Sequence, residues 1–181
     1  MLNFYKTINN SVVKVDTLSD GCWVNAVSPT PEEIAFLTDE LELDSGFVSA
    51  ALDEEESSRI EVEENQTLVI IDAPMATTED NYTLVYTTMP VGIIMTSKNV
   101  VTVCLNEVSA ITDLLNGFVK NIQTTMKTRL LLSILLRIAQ SFLVRLKHIN
   151  KMSVQMESEL HKSMKNKELI QLLGLEKSLV Y

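Results

Sequence analysis

The stretch Val-Gly-Ile-Ile-Met-Thr-Ser-Lys-Asn-Val-Val-Thr-Val-Cys-Leu, residues 91–105, contains two apolar runs on either side of a short polar turn. We predict strands at 91–96 and 99–105, joined by a turn at Ser97-Lys98-Asn99. Residues 67–72 hold Leu68-Val69-Ile70-Ile71, a continuous apolar run typical of a strand that is covered on both faces. These three segments predict the centre of a sheet with both of its faces buried.

Further strands are predicted on either side of these central segments, at 2–7, 22–27, 60–63 and 82–89. In the 60–63 segment Ile60 and Val62 alternate with glutamates, which is the pattern of a half-buried strand, and Pro74 is expected to end the 67–72 strand. Several consecutive strands with helices before and after them predict an α/β fold with a mixed sheet, not a regular βαβ repeat.

Local signals place three short helices in the same part of the chain. Thr30 is a predicted N-cap, with Pro31 at the first helical position and Glu33 closing a capping box, for a helix that runs to about residue 43. Asp44 or Ser45 is expected to cap a second helix that ends near residue 52. A third helix is predicted at 108–119.

From about residue 122 the apolar residues recur at steps of three and four, and no Gly or Pro interrupts residues 118–173. This pattern predicts a long amphipathic helix, followed after a turn at 166–167 by a second helix from residue 168. We therefore divide the chain into a head, residues 1–120, and a helical arm, residues 121–181. Because the apolar pattern is still in phase at Tyr181, we expect the natural protein to continue.

Charge is divided unevenly between the two ends of the sequence. Residues 1–104 carry 4 basic and 18 acidic side chains, a net charge of −14, whereas residues 105–181 carry a net charge of +5. The overall charge of −9 disfavours nucleic acid as a partner, because phosphate binding needs a basic surface. The asymmetry indicates either docking of acidic on basic surface, within or between chains, or two separately solvated faces.

The composition also limits the compartment and the relation to a membrane. Cys22 and Cys104 lie in apolar runs, so two buried thiols are expected in preference to a disulfide. The N-terminus lacks the pattern of a signal peptide, and no apolar run reaches the ~18 residues of a membrane span. The sequence therefore predicts a soluble polypeptide.

Catalytic motifs are absent from the sequence. His148 and His161, the only histidines, are 13 residues apart and cannot face one metal from a single helix. The sequence contains no phosphate-binding glycine loop, serine-hydrolase elbow or Cys-x-x-Cys pair. We therefore predict that the chain is not an enzyme and carries no catalytic residues.

The acidic run Asp53-Glu54-Glu55-Glu56 is the one chemically suggestive patch. Carboxylates suit Mg²⁺, and on a helical turn Asp53 and Glu56 would share one face. We name these two residues as candidate metal ligands, with a solvated helix end as the alternative.

The order of these elements resembles the N-terminal domain of CorA-type magnesium transporters. The resemblance covers nearly the whole chain and rests on the following segments: Trp23-Val24-Asn25, Pro29 with Glu32 and Glu33, Arg59-Ile60-Glu61, Glu64-Asn65 before Leu68, the hairpin 91–105, Leu130–Leu136 and Met156–Leu160. The family's pore signature Gly-Met-Asn is absent.

The resemblance implies an α/β/α head, a homopentameric funnel in the full-length form, and a position at the cytoplasmic face of the membrane, reached only through parts missing here. It implies a regulatory ion, Mg²⁺ with Co²⁺, Ni²⁺ or Zn²⁺ as alternatives, bound between neighbouring heads and stalks to hold the pore closed. The family's usual aspartate position corresponds here to Ser49 and Ala50, so Asp53 and Glu56 would have to substitute.

Two functions remain open from the sequence. The first is a metal-sensing, regulatory domain that gates an attached pore. The alternative is a free-standing acidic interaction module that dimerises, or otherwise self-associates, through its helical arm.

Overall fold

A computed structural model describes residues 1–79 and 83–162. Seven strands form one sheet in the order β2-β1-β3-β7-β6-β5-β4. The strands are β1 Leu2–Ile8, β2 Ser11–Val15, β3 Trp23–Val27, β4 Arg59–Glu63, β5 Gln66–Glu79, β6 Thr83–Met95 and β7 Val100–Cys104. The helices are α1 Pro31–Ala35, continued by a π-helical turn Phe36–Glu40, then α2 Ser45–Ala50, α3 Ser109–Leu115 and α4 Lys127–Lys162.

The sheet is mixed, as the sequence predicts. β3 and β7 pair in parallel at its centre, and the other neighbours pair antiparallel. A buried polar chain crosses the parallel pair: Trp23 Nε1 donates to Thr102 Oγ1 (2.9 Å), which donates to Asn25 Oδ1 (2.8 Å). These bonds satisfy groups that would be costly to bury unpaired, and they favour the observed register, Asn25 opposite Thr102.

Both faces of the sheet are covered by helices, which gives the α/β/α architecture. On one face Val24, Leu68 and Ile94 pack with the helical segment 31–51, through Leu37 and Phe47. On the other face Trp23, Val69 and Ile93 pack with α3 and α4. The alternation of strand residues between two cores explains the continuous apolar run at 68–71.

Two prolines lie inside strands, although the sequence predicts strand boundaries at both. β5 continues through Pro74, and Pro90 lies inside β6, which joins the predicted strands 82–89 and 91–96. The Asp72 N–H donates to Ser58 Oγ on the β4 side of the strand. Backbone N–H groups two residues apart in a strand point to the same side, so the Pro74 nitrogen also points to the β4 side. At Pro74 this side lies beyond the end of β4, so the missing N–H of proline costs no hydrogen bond between strands.

The strand predicted at 60–63 is present as β4, but the prediction that it is half-buried through Ile60 and Val62 is wrong. Ile60 and Val62 are 73% and 69% exposed. β4 is an edge strand, and these residues share the face of Val69, their neighbour in β5, on the side covered by α3 and α4. The helices leave this edge of the sheet uncovered. Strand β2, which the sequence patterns did not predict, forms the opposite edge.

The helix caps agree with the sequence. Thr30 and Glu33 form the predicted capping box, and Asp44 caps α2 by accepting the Phe47 N–H (3.1 Å). Two helices are shorter than the sequence predicts. The first, predicted to run to about residue 43, ends with the π-helical turn at Glu40, and α3 covers only 109–115 of the predicted 108–119.

The long helix is confirmed as α4, but it begins at Lys127 and not near residue 122. The preceding residues pack instead against β1: Ile122 is buried, its carbonyl accepts from Thr7 Oγ1 (3.0 Å), and the Thr7 N–H donates to Thr124 Oγ1 (3.0 Å). The predicted turn at 166–167 and the second helix from 168 lie outside the described residues.

The chain divides into two compact units, and the boundary lies within α4. Residues 1–142 form the first unit, in which Leu130, Ile134 and Ile138 of α4 are fully buried. The second unit begins at Leu143, and its described side chains are mostly exposed.

The close approach of α2 to β6 yields a test of the packing. A Cβ atom built on Gly92 would lie 2.3 Å from the Ala51 Cβ at the end of α2. Gly92→Ala should therefore lower the free energy of unfolding by about 1–3 kcal/mol, as overpacking does. Thr87→Ala, at an exposed site on the same strand, is the control and should change it by less than about 0.5 kcal/mol. Urea denaturation measures both, and equal effects would contradict the contact.

Candidate metal site

The candidate ligands Asp53 and Glu56 lie in the turn that follows α2, not on a helix. The Asp53 N–H donates to the Ala50 carbonyl (3.3 Å), and the Glu56 N–H donates to the Asp53 carbonyl (3.3 Å). Asp53 Oδ1 accepts the Glu55 N–H (2.9 Å). Asp53 is exposed, and this hydrogen bond engages only one of its two carboxylate oxygens.

Glu56 already forms an ion pair with a basic side chain of the same chain. Arg59 forms an ion pair with Glu56 and another with Glu61 (3.0 Å), so one guanidinium bridges two carboxylates. Glu56 also accepts the Ser57 N–H (2.9 Å). A divalent ion at this turn must therefore compete with Arg59 for Glu56, which sequence spacing alone could not reveal.

Ser49 and Ala50, which the resemblance places at the family's usual aspartate, differ in their exposure on α2. Ser49 is exposed and Ala50 is buried against the sheet. A serine hydroxyl is a weaker ligand for Mg²⁺ than a carboxylate, so this surface of α2 offers less to a cation than the turn after it.

Sequence reasoning missed a second acidic surface, which lies at one end of the sheet. Asp20, Glu40, Glu42 and Glu64 line a cleft of about 500 Å³ that also includes Lys98. A smaller cleft of about 350 Å³ beside it shares two of these glutamates. The four acidic residues come from three separate segments of the chain, so no local pattern reveals the cleft.

Neither surface forms a complete metal site. Within the described residues, no three His, Cys, Asp or Glu side chains are grouped so that they could hold an ion. The acidic turn can thus supply one or two carboxylates, which is enough for a partly hydrated Mg²⁺.

The other candidate groups do not contribute to this turn. Cys22 and Cys104 are free, buried thiols, as expected, and burial raises the pKa of Cys104 to about 12. His148 is exposed on α4, and the side chain of His161 lies outside the described residues. In the described ranges no helix combines the length and hydropathy that crossing a bilayer requires.

Solved structures show the same fold. The chain matches the soluble domain of CorA from Methanocaldococcus jannaschii over 100% of its own length and 72% of that chain, with 25% identity and a TM-score of 0.76. It matches the complete CorA magnesium transporter of the same organism with 24% identity and a TM-score of 0.74, covering 57% of that chain. The present chain therefore spans little more than half the length of the complete transporter.

A more distant likeness is to the cytoplasmic domain of ZntB from Vibrio parahaemolyticus. It has 11% identity and a TM-score of 0.65, and the match covers 84% of this chain and 63% of the other. A comparison with curated proteins gave no match.

This chain, an α/β/α domain with a mixed seven-stranded sheet and a long helix, thus has the fold of the soluble domain of CorA. The sequence profile of the CorA-like Mg²⁺ transporter proteins matches residues 19–181. This chain belongs to that family.

Proposed function

We propose that this chain is the cytoplasmic metal-sensing and regulatory domain of a CorA-like transporter of Mg²⁺ or a related divalent cation. The family match over residues 19–181 carries the proposal. It is supported by the full-length fit to the soluble domain of CorA and by the strongly acidic head. A sensing domain needs a weak, reversible cation site and no catalytic group, which agrees with the exposed acidic turn.

The proposed mechanism is electrostatic. Each copy carries a net charge of −14 in residues 1–104, so neighbouring heads in a homo-oligomer repel one another in the absence of counter-ions. A divalent cation bound at the acidic surface lowers that repulsion and stabilises the assembled, closed form. Loss of the ion shifts the population toward the open form of the attached pore.

Asp53 is the proposed principal ligand, because it is exposed and its carboxylate is not paired with a cation by the described ion pairs. Glu56 is the proposed second ligand, released from Arg59 when the ion binds. Mg²⁺ is the proposed ion, with Co²⁺, Ni²⁺ and Zn²⁺ as alternatives. The carboxylate ligands favour Mg²⁺, since the softer ions prefer nitrogen or sulfur.

The first test follows the thermal stability of the 181-residue chain while Mg²⁺ is added. With a Kd of about 1 mM, 10 mM Mg²⁺ should stabilise the fold by about 1.4 kcal/mol, or ~3–6 °C in Tm. Asp53→Ala/Glu56→Ala should abolish this gain. The matched control Glu54→Ala/Glu55→Ala removes the same charge from the same turn and should retain it.

KCl of equal ionic strength separates binding from general screening. If KCl gives the same gain, or if both double variants lose it equally, the assignment of Asp53 and Glu56 is wrong.

A substitution of Arg59 should act in the opposite direction. Arg59→Gln removes the guanidinium that holds Glu56 and Glu61, so we expect Mg²⁺ to bind about tenfold more tightly. Isothermal titration calorimetry of the wild type and Arg59→Gln measures the change. Unchanged or weaker binding would show that Glu56 is not a ligand.

A further inference from the structure

The turn that ends α3 contains the one Asn-Gly pair of the sequence, Asn116-Gly117. An asparagine before glycine is prone to close a cyclic succinimide, because glycine has no side chain to hinder attack by its nitrogen on the asparagine amide. Both residues are exposed, and within the described residues no hydrogen bond holds the side-chain amide of Asn116. A Cβ atom built on Gly117 would have no atom within 4 Å. The reacting groups are therefore uncrowded.

The backbone of this turn shows what must move before the ring can close. Asn116 has a φ of −81° and a ψ of 3°, so its Cα–C bond must rotate to bring the Gly117 nitrogen to the side-chain carbon. That rotation breaks the hydrogen bond from the Gly117 N–H to the Leu114 carbonyl, which is long at 3.3 Å. Loss of one such bond slows the reaction about tenfold relative to the unfolded chain.

The pair Asp20-Gly21 provides a comparison within the same chain, because an aspartate before glycine forms the same succinimide. The Gly21 N–H donates to the Lys98 carbonyl (2.9 Å), and a Cβ atom built on Gly21 would lie 2.8 Å from Thr125 Cγ2. Rotation at Asp20 would separate three segments of the fold, which requires a much larger opening than at Asn116. The fold therefore protects Asp20 and not Asn116.

We propose that Asn116 is a site of spontaneous deamidation through a succinimide formed with Gly117. Hydroxide takes the proton from the Gly117 nitrogen, which attacks Asn116 Cγ. The new C–N bond closes the ring, the Cγ–Nδ2 bond breaks, and Nδ2 leaves as ammonia with a proton from water, which regenerates hydroxide. Water then opens one of the two imide C–N bonds and gives aspartate or isoaspartate. One water is consumed and one ammonia is released, without an oxidant or reductant, and the reaction does not rest on the proposed function.

Either product changes the end of α3. A carboxylate at position 116 adds negative charge where the helix carbonyls already present it, three residues from Asp113. Asp113 is the residue of α3 that forms an ion pair with Arg137 of α4. Isoaspartate also lengthens the backbone between Asp113 and Phe118, whose N–H donates to the Asp113 carbonyl (3.0 Å). Deamidation therefore weakens the contact of α3 with α4.

Peptide mapping by mass spectrometry tests the site. The 181-residue chain is incubated at mildly alkaline pH, once folded and once unfolded in guanidinium chloride, and isoaspartate is labelled with an isoaspartyl methyltransferase. We expect the ratio of folded to unfolded rates to be at least about tenfold higher at Asn116 than at Asp20. The matched control Asn116→Gln keeps an amide but needs a larger ring, so it should stop conversion at position 116 and leave Asp20 unchanged.

Thermal unfolding tests the consequence. Asn116→Asp should lower Tm by ~1–4 °C, and the aged chain with isoaspartate at 116 should lose more. Lys14→Gln makes the same change in net charge at an exposed site on β2 and should lower Tm less.

Two results would overturn the site: Asn116 stays intact in the folded chain while the other described asparagines convert, or the fold protects Asn116 and Asp20 equally. An unchanged Tm of the chain with isoaspartate at 116 would overturn the effect on the contact between α3 and α4.

Discussion

The parallel pairing of β3 with β7 is the constraint on which the rest of the structure depends. It is the one contact in the sheet that joins β1, β2 and β3 to the continuous antiparallel set β4 to β7. Its polar chain, Trp23 to Thr102 to Asn25, is buried, so a shift in register would leave hydrogen-bonding groups unpaired in the core. The register in turn aligns the two apolar faces on which the helices pack.

The positions of the acidic turn and of the exposed edge strand β4 both follow from this central sheet. α2 approaches β6 closely because Gly92 lacks a side chain, and the turn that leaves α2 carries Asp53 and Glu56 to the surface. The chain then returns along β4 at the edge of the sheet, where Arg59 pairs with Glu56 and Glu61. The same short segment therefore combines acidic ligands, a competing guanidinium and an exposed apolar pair.

The local patterns were sufficient to predict most elements. The capping box at Thr30 and Glu33, the buried run at 68–71 and the helical period after residue 127 each depend on neighbours in sequence. The errors depend on tertiary position. Pro74 is tolerated because β4 has already ended, and Ile60 and Val62 are exposed because their strand lies at an edge, neither of which alternation can reveal. The ion pair of Arg59 with Glu56 is local, three residues apart, but it forms in a turn and not on the helical face that the sequence predicts for Glu56.

Sensing of a divalent cation by the acidic turn is tested most directly by following backbone amide resonances of the chain during a Mg²⁺ titration. We expect saturable shifts, in the low-millimolar range of a sensor site, at the amides of residues 53–57, and we expect that KCl of equal ionic strength does not reproduce them. Shifts that are absent there, or that are spread evenly over the acidic residues and reproduced by KCl, would contradict it.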